Sequence, residues 1–230
     1  MGAMDELIDA AALERLRNQL RTASDTAFPA VARAAIEVDG LKLRQRVDLV
    51  AAALIDDLPS VYGDAAKIVR SALSDPEFSG WTIWPVGEAM TALALASVIG
   101  TDFEDGLAMM ADLTPRLSSE FAIRPFLVRD LDRSLAVIEI WTGSDDPHVR
   151  RLASEGTRSY LPWAIRVPEL LRRPECTVPI LDALYRDDDE VVRRSVANHL
   201  NDLSRHAPDV VVATAARWTA APDANTAKVV

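Results

Sequence analysis

The sequence predicts an all-α fold of stacked antiparallel helix pairs, and three observations support this prediction. Apolar residues recur at helical intervals along most of the chain, for example at Val47, Val50, Ala51 and Leu54. No segment keeps the strict apolar–polar alternation that marks a strand. One segment of the second half repeats with a period that is typical of helical solenoids. We therefore expect no β-sheet in this protein.

Apolar spacing and prolines delimit the individual helices. The spacing of Leu7, Leu13 and Leu16 predicts a first amphipathic helix, and a strongly apolar helix is expected from Val86 onward. Because proline is tolerated in the first turn of a helix, we interpret seven prolines as candidate helix starts. These are Pro29, Pro59, Pro76, Pro115, Pro147, Pro162 and Pro208.

The internal repeat lies in the second half of the chain. The segment 145–158 (DDPHVRRLASEGTR) parallels the segment 188–201 (DDEVVRRSVANHLN), and their Val-Arg-Arg triplets are offset by 43 residues. That period falls in the range of about 40–47 residues that is typical of HEAT and armadillo repeats. The sequence therefore predicts a HEAT-like (armadillo-type) α-α superhelix.

Each repeat is expected to hold two helices joined by an acidic turn. The first helices are predicted at 131–141 and 177–185, and aspartates in the turns GSDDP and RDDDE are expected to cap the second helices. Stacked pairs of this kind form a curved solenoid with a concave face, which second helices usually line.

Charge is distributed unevenly along the chain. The net charge of −10 argues against a nucleic-acid partner, because contacts with phosphate need Lys and Arg. Residues 1–114 carry nine basic and eighteen acidic side chains, whereas residues 115–206 carry fourteen arginines, no lysine and fifteen acids. Arginine makes bidentate phosphate contacts, so this half has the side chains that a nucleic-acid partner would require. Composition alone favours the alternative, a set of solvated helix faces whose charges form ion pairs.

Compartment and membrane topology follow from a few residues. The single cysteine, Cys176, excludes a disulfide within the chain. The N-terminal sequence MGAMDELIDA lacks the apolar core of an export signal, and the longest weakly polar stretch, 89–100, is too short to span a bilayer. We expect a cytoplasmic protein with no membrane association.

A polar stripe on the predicted last repeat is a candidate site. Ser195, Asn198, His199 and Asp202 fall at helical intervals on one face, opposite a stripe of apolar residues. The stripe contains none of the Lys or Glu that is usual on a solvated face, which favours a functional site. A polar network between adjacent repeats is the alternative. With three histidines in the chain, a metal site is not expected, and no cofactor is implied.

Three motifs in the second half carry a family resemblance. They are SSEFAIRPFL (118–127), HVRRLASEGTR followed by LPW (148–163), and VRRSVANHLNDLSRHAPD (192–209). In this order they resemble the AlkC branch of the bacterial DNA alkylation repair glycosylases, although Ser159 and Tyr160 stand where that branch has Arg-Pro. The resemblance implies one HEAT-like domain over 1–230. Residues 1–114 would form its weakly matched N-terminal helices, 115–206 its motif-bearing repeats, and 207–230 the start of a C-terminal part.

The resemblance also implies an activity. Its members hydrolyse the N-glycosidic bond of cationic N3-methylated purines such as 3-methyladenine in double-stranded DNA, without flipping the base. The transition state places positive charge on the sugar, which carboxylates stabilise, and an aromatic face stabilises the cationic base. Since no lysine lies near the motifs, a monofunctional glycosylase without a lyase step is expected. No obligate protein partner is evident.

The resemblance assigns the pocket to four residues. Asp202 or Glu155 would be the carboxylate closest to the sugar and water, and Glu120 would contact the base or support the other two. Trp163 would pack against the base or the deoxyribose. The candidate DNA contacts are Arg151, Arg158, Arg166, Arg194, Asn198 and His199.

Each assignment has a structural alternative. The carboxylates could form helix-surface ion pairs: Glu120 with Arg124, Glu155 with Arg151 or Arg158, and Asp202 with Arg205. Trp163 could fill the core between repeats. A non-catalytic HEAT scaffold that binds DNA or protein is therefore the alternative to the enzyme.

Overall fold

The computed structural model describes residues 7–229, and this part of the chain is all-helical, with thirteen α-helices and no strand. The prediction of an all-α fold is confirmed. Residues 1–6 lie outside the described part, and so does most of the sequence on which the absence of an export signal was judged. The chain divides into two compact units, the first ending at Ala122 and the second beginning at Ile123. The expectation of a single domain over 1–230 stays a prediction.

The first unit contains six helices: α1 (Ala10–Thr22), α2 (Pro29–Glu37), α3 (Leu43–Asp57), α4 (Tyr62–Ala72), α5 (Ile83–Ala96) and α6 (Asp102–Leu113). The second unit contains seven: α7 (Arg124–Arg129), α8 (Leu131–Trp141), α9 (Pro147–Glu155), α10 (Pro168–Arg172), α11 (Val178–Leu184), α12 (Glu190–Ser204) and α13 (Pro208–Ala220). It also has short 3-10 turns at Pro174–Thr177 and Thr226–Lys228.

Apolar periodicity locates the core of the first unit well. The expected core residues of α3 are buried, and α3 packs against the strongly apolar helix α5. Helix α1 begins at Ala10 rather than at Leu7, because Asp9 caps it by accepting a hydrogen bond from the backbone N–H of Ala12 at 2.7 Å. Leu13 and Leu16 are fully buried, whereas Leu7 is partly exposed.

Prolines mark helix starts less reliably than expected. Pro29, Pro147 and Pro208 do begin α2, α9 and α13. The other four candidates were wrong, because a proline with its fixed φ fits a turn as well as the first turn of a helix. Pro59, Pro76, Pro115 and Pro162 all lie in turns or loops between helices.

The two repeats have the predicted internal order. Helix α8 has the bounds expected of the first helix, and α11 lies within the range 177–185. Asp146 and Asp189 cap the second helices α9 and α12 by accepting hydrogen bonds from N–H groups two residues on. Helix α8 packs on α9, α11 packs on α12, α8 contacts α11, and α9 lies along α12. First helices thus stack on first helices and second helices on second helices, as in HEAT-like repeats.

A pair of equivalent arginines closes the two acidic turns. Arg150 donates to the carbonyls of the residues six and five positions before it, at 2.8 and 3.1 Å. Arg193, 43 residues later, does the same at 2.5 and 2.9 Å. Arg150 also pairs with Asp187 through two hydrogen bonds of 2.6 and 3.0 Å, which tie the first repeat to the turn of the second.

Candidate functional site

Two of the predicted catalytic carboxylates converge on one guanidinium. Glu155 ends α9 and Asp202 lies near the end of α12, so the packing of α9 on α12 brings them close. Arg158 lies between them: its Nη1 donates to Glu155 Oε1 at 2.6 Å, and its Nε and Nη2 donate to the two oxygens of Asp202 at 2.9 and 3.3 Å. Glu155 is 5% exposed and Asp202 2%. We call these three residues the Arg158 cluster.

Both carboxylates of the cluster accept a further hydrogen bond. Ser195 donates its hydroxyl to Glu155 Oε2 at 2.6 Å, and the backbone N–H of Tyr160 donates to Asp202 Oδ2 at 3.2 Å. Arg151 lies 3.7 Å from Glu155. Burial lowers the pKa of the Arg158 guanidinium, but its hydrogen bonds to Asp202 and Glu155 raise it above the ordinary value overall. Arg158 therefore stays charged between the two carboxylates.

The polar stripe of α12 faces α9 rather than solvent. His199 is fully buried; its Nδ1 lies 3.0 Å from the carbonyl of Ser154 and its Nε2 3.2 Å from the hydroxyl of Thr177. Because a carbonyl can only accept, Nδ1 carries the proton and Nε2 accepts from Thr177. Burial lowers the pKa of His199 to about 4, so the ring is neutral at pH 7.

This burial corrects one predicted DNA contact. A side chain with no exposed surface cannot touch a DNA backbone, so His199 has a structural role between repeats. Ser195 is buried with it, and Asn198 is half-buried. Ser195 and His199 therefore belong to a polar network between adjacent repeats, which the sequence left as the alternative.

A buried arginine that sequence reasoning missed anchors the loop after α9. Arg124 opens α7 and is 0% exposed. Its Nη1 donates to the carbonyls of Gly156 and Arg158 at 2.9 and 2.7 Å, and its Nε donates to the carbonyl of Ile165 at 3.1 Å. Burial lowers its pKa to about 10, which leaves the guanidinium charged at pH 7. Both ends of the loop 156–165 are thus fixed by one side chain.

The sequence surroundings of Arg124 contain the signal for its burial. It stands within AIRPFL, and its apolar neighbours Ala122, Ile123, Phe126 and Leu127 are all buried. An arginine in such a segment is not on a helix surface. Glu120 lies in the turn before α7, so the expected helical pair with Arg124 does not form on a shared helix.

Trp163 projects from the loop that Arg124 anchors. Its side chain is 69% exposed, so it does not fill the core between repeats. Its backbone has φ +64°, in the left-handed region that residues other than glycine and asparagine rarely adopt. A strained conformation of this kind costs about 1–3 kcal/mol and persists where the surrounding structure enforces it. Here Leu161 and Val167, on either side, are buried and hold the ends of the segment.

Tyr160 and two arginines lie beside the Arg158 cluster. The guanidinium carbon of Arg166 is 4.9 Å from the centroid of the Tyr160 ring, and that of Arg205 is 5.4 Å from it. The ring of His206 meets the Tyr160 ring edge-on at 5.5 Å. Arg166 also donates to the carbonyl of Ser159 at 3.2 Å. The pairing of Asp202 with Arg205 that the sequence left open is replaced by its pairing with Arg158.

The other predicted residues lie elsewhere. Glu120 belongs to the first unit, where it accepts a hydrogen bond from the hydroxyl of Ser118 at 2.8 Å. Arg194 pairs with Glu190 at 2.8 Å on the exposed face of α12.

Other kinds of site receive no support from residues 7–229. This part of the chain holds no group of three His, Cys, Asp or Glu that could bind a metal ion. Burial raises the pKa of the Cys176 thiol to about 11, so it is not a thiolate nucleophile at pH 7. Within the same residues, no helix combines the length and apolar character needed to cross a bilayer.

The chain is similar in sequence and fold to known proteins. No family model matches the chain. Its fold matches that of Pseudomonas fluorescens alkylpurine DNA glycosylase AlkC bound to DNA containing an abasic site analog, with a TM-score of 0.86 and 31% identity. The match covers 99% of this chain and 62% of that one. This is an AlkC-like chain. The family resemblance and the HEAT-like fold that the sequence predicted are therefore confirmed.

The chain also has a curated relative in Bacillus subtilis. It is 35% identical over 178 residues to the uncharacterized protein YhaZ, a match that covers 77% of this chain and 48% of YhaZ. The chain therefore spans about half the length of that relative and less than two thirds of the AlkC chain.

Proposed function

We propose that this chain is a HEAT-like DNA glycosylase that acts on alkylated purines in double-stranded DNA. The observation that carries the proposal is the Arg158 cluster, in which two carboxylates from successive repeats meet at one guanidinium. The loop that follows α9 carries the exposed Trp163. The similar fold of AlkC, which was solved with DNA containing an abasic site analog, supports the choice of DNA as partner.

The substrate that fits this chemistry is a cationic N3-methylated purine, above all 3-methyladenine. Its positive charge lets the base leave as a neutral molecule when the bond between the sugar C1′ and the purine N9 breaks. Positive charge then develops on the sugar, and water adds to C1′ with loss of a proton. The proposed enzyme needs neither a strong general acid for the base nor a base flipped out of the duplex.

The Arg158 cluster would act through its two carboxylates. They are held in a site of low solvent exposure, where electrostatic stabilisation of a cation is stronger than in water. Hydrogen bonds from Ser195 and Tyr160 fix both carboxylates, so little reorganisation is required at the reacting sugar. Asp202 or Glu155 would lie closest to the sugar and water.

Residues around the cluster would bind the rest of the substrate. Trp163 would pack against the base or the deoxyribose, since its ring is already exposed. The role of Glu120, which belongs to the first unit, stays a prediction. Phosphate contacts are proposed for Arg151, Arg166, Arg194 and Asn198. Arg158 is left out because its guanidinium is already bound by both carboxylates.

One observation favours a second candidate, a non-catalytic DNA-binding or protein-binding HEAT scaffold. Arg158 engages both carboxylates in the way expected of a purely structural ion network between repeats. The same contacts therefore serve both candidates, and activity must be measured to separate them.

The decisive experiment is the release of 3-methyladenine from methylated duplex DNA under single-turnover conditions. Wild type is compared with Asp202→Asn and Glu155→Gln, which keep the shape of each side chain and remove its charge. We expect the rate of base release to fall by at least about 100-fold in both variants, as it does when a preorganised electrostatic group is lost. DNA affinity should change little.

A matched control uses a carboxylate outside the cluster. Asp132 is exposed on α8 and also pairs with an arginine, Arg173, at 2.7 Å. Asp132→Asn is expected to keep the wild-type rate. Folded wild type that releases no methylated base would refute the enzyme and favour the scaffold. An equal loss of rate in all three variants would show that the effect is not specific to the cluster.

A further inference from the structure

A second cluster of the second unit brings together two positive charges and an aromatic ring. We call Tyr160, Arg166 and Arg205 the Tyr160 cluster. Both guanidinium carbons lie within 5.4 Å of the centroid of the tyrosine ring. Arg166 and Arg205 are both exposed, and Tyr160 is half-buried beneath them.

The charges of the Tyr160 cluster are not neutralised locally. Among the described residues, neither Arg166 nor Arg205 has a carboxylate oxygen within 4.0 Å. Most other exposed arginines of the second unit form an ion pair of their own. These paired arginines are Arg172, Arg173, Arg186, Arg194 and Arg217.

An uncompensated pair of guanidinium groups raises the local positive potential, which favours an anion. The tyrosine ring stabilises both groups and holds them in place, so less side-chain entropy is lost when they bind an oxyanion. Arginine is suited to phosphate because its planar N–H groups can form two parallel hydrogen bonds.

The position of the Tyr160 cluster links it to the proposed catalytic carboxylates. The backbone N–H of Tyr160 donates to Asp202, and Arg205 follows Asp202 by three residues at the end of α12. An anion bound by the two arginines would therefore lie next to the Arg158 cluster. The net charge of the whole protein is −10, so an anion-binding patch at this place is not a consequence of overall composition.

We propose that the Tyr160 cluster binds a phosphodiester of the DNA strand beside the damaged nucleotide. The inference rests on the proposed function for its choice of DNA. It adds Tyr160 and Arg205, which the sequence motifs did not assign, and it gives Arg166 a defined geometry. Binding here would position the sugar against Asp202.

DNA affinity tests directly whether the Tyr160 cluster binds phosphate. It is measured by the fluorescence anisotropy of an undamaged labelled duplex between about 50 and 200 mM salt. Arg205→Gln and Arg166→Gln are each expected to weaken binding by about 3- to 30-fold. Each should also reduce the slope of log affinity against log salt by about one, because one phosphate contact is lost. Arg172→Gln, at an exposed arginine that pairs with Glu169, is the matched control and should bind like wild type.

Tyr160→Leu tests the role of the ring. It leaves both arginines in place but removes the surface that orders them, so affinity should fall by less than in the arginine variants and the salt slope should stay the same. Melting temperatures close to that of wild type establish that each variant is folded.

The outcomes separate this inference from the proposed function. If wild type excises 3-methyladenine but Arg205→Gln and Arg166→Gln keep its affinity and salt slope, the Tyr160 cluster is not a phosphate site and the glycosylase stands. If both variants lose affinity and slope but wild type excises nothing, the phosphate site stands and the glycosylase fails. Wild type that binds no duplex overturns the phosphate site.

Discussion

Two helix interfaces, one in each unit, are built from different kinds of residue. The contact between α3 and α5 in the first unit is largely aliphatic, with residues such as Val47, Val50 and Met90 buried. The contact between α9 and α12 in the second unit buries Glu155, His199 and Asp202 among its apolar residues. Burial of polar and charged groups costs free energy unless every partner is present. The stability of the second interface therefore depends on the hydrogen-bond partners of these three side chains.

The arginine–carboxylate pairs of the two units differ in the same way. Arg70 in the first unit pairs with Asp105 and Asp112 at 3.0 and 3.1 Å, and all three side chains are more than a third exposed. The side chain of Arg158 is 12% exposed, and those of its two carboxylate partners are less exposed still. Exposed pairs contribute about 0–1 kcal/mol, whereas removal of one partner from a buried pair costs about 3–5 kcal/mol.

Removal of Arg158 is expected to have the largest effect. Arg158→Ala leaves two buried carboxylates without their common partner, and we expect the free energy of unfolding at pH 7 to fall by about 3–5 kcal/mol. Urea denaturation measures it. Arg70→Ala, at the exposed pair, should cost less than about 1 kcal/mol.

A triple variant sharpens the same test. Arg158→Met combined with Glu155→Gln and Asp202→Asn removes the charges of the cluster together, and it should recover most of the lost stability. Equal losses in Arg158→Ala and Arg70→Ala would contradict the distinction between the two interfaces. A triple variant as unstable as Arg158→Ala would show that lost packing, rather than unpaired charge, is the cause.

The buried histidine predicts a pH effect that is confined to the second interface. The folded-state pKa of His199 is about 4, below the unfolded value of about 6.5, so the unfolded chain binds a proton that the folded chain does not. Its contribution to the free energy of unfolding is complete above pH 6.5 and falls on acidification to pH 4, by on the order of 3 kcal/mol.

His199→Gln isolates this contribution. Denaturation at pH 7 and at pH 4.5 should show a smaller loss on acidification in this variant than in wild type. His148→Gln, at an exposed histidine of α9, should keep the wild-type profile. If wild type and His199→Gln lost the same free energy on acidification, the buried ring would not be neutral as its contacts require.

Sequence patterns located the helices of the repeats well because the signals are local. The bounds of α8 follow from apolar spacing, and the starts of α9 and α12 follow from Asp146 and Asp189, which act within their own turns. The polar stripe of α12 was also found by spacing. Spacing did not show that this stripe faces α9 rather than solvent. The absence of Lys and Glu is expected equally of a functional surface and of a buried polar interface.

Spacing predicted the local pairing of Glu155 with Arg151 or Arg158, but not the long-range contacts that shape the site. Arg124 binds carbonyls 32 to 41 residues away, and such pairings have no signature in the sequence. Arg158 lies 44 residues from Asp202, with which it pairs across two repeats. The motifs named Glu155, Trp163 and Asp202, but only the packing of α9 on α12 brings the two carboxylates to one guanidinium.

A third prediction compares two glycines. A methyl group at Gly156, at the end of α9, would lie 2.1 Å from Cδ1 and 2.9 Å from Cγ1 of Ile123, which is fully buried and would have to shift. Gly156→Ala should therefore cost about 1–3 kcal/mol of stability. At Gly63 in α4 a methyl group meets nothing within 4 Å, and Gly63→Ala should stabilise by up to about 1 kcal/mol. Thermal denaturation measures the change in stability of both variants. If both variants were stabilised, or both destabilised, the prediction would be wrong.

The smallest expected change in stability is at Trp163. Asn tolerates the left-handed backbone that Trp163 adopts, and the indole ring is mostly in solvent, so Trp163→Asn should alter the free energy of unfolding by no more than about 0.5 kcal/mol. Trp141, buried at the end of α8, is the matched control, and Trp141→Ala should cost about 3–5 kcal/mol. Binding of methylated and unmethylated duplexes is then compared, and Trp163→Asn should reduce the preference for the methylated one. A loss of stability above about 1 kcal/mol would instead make Trp163 a packing residue, because an exposed ring held in a strained backbone has no such contact to lose.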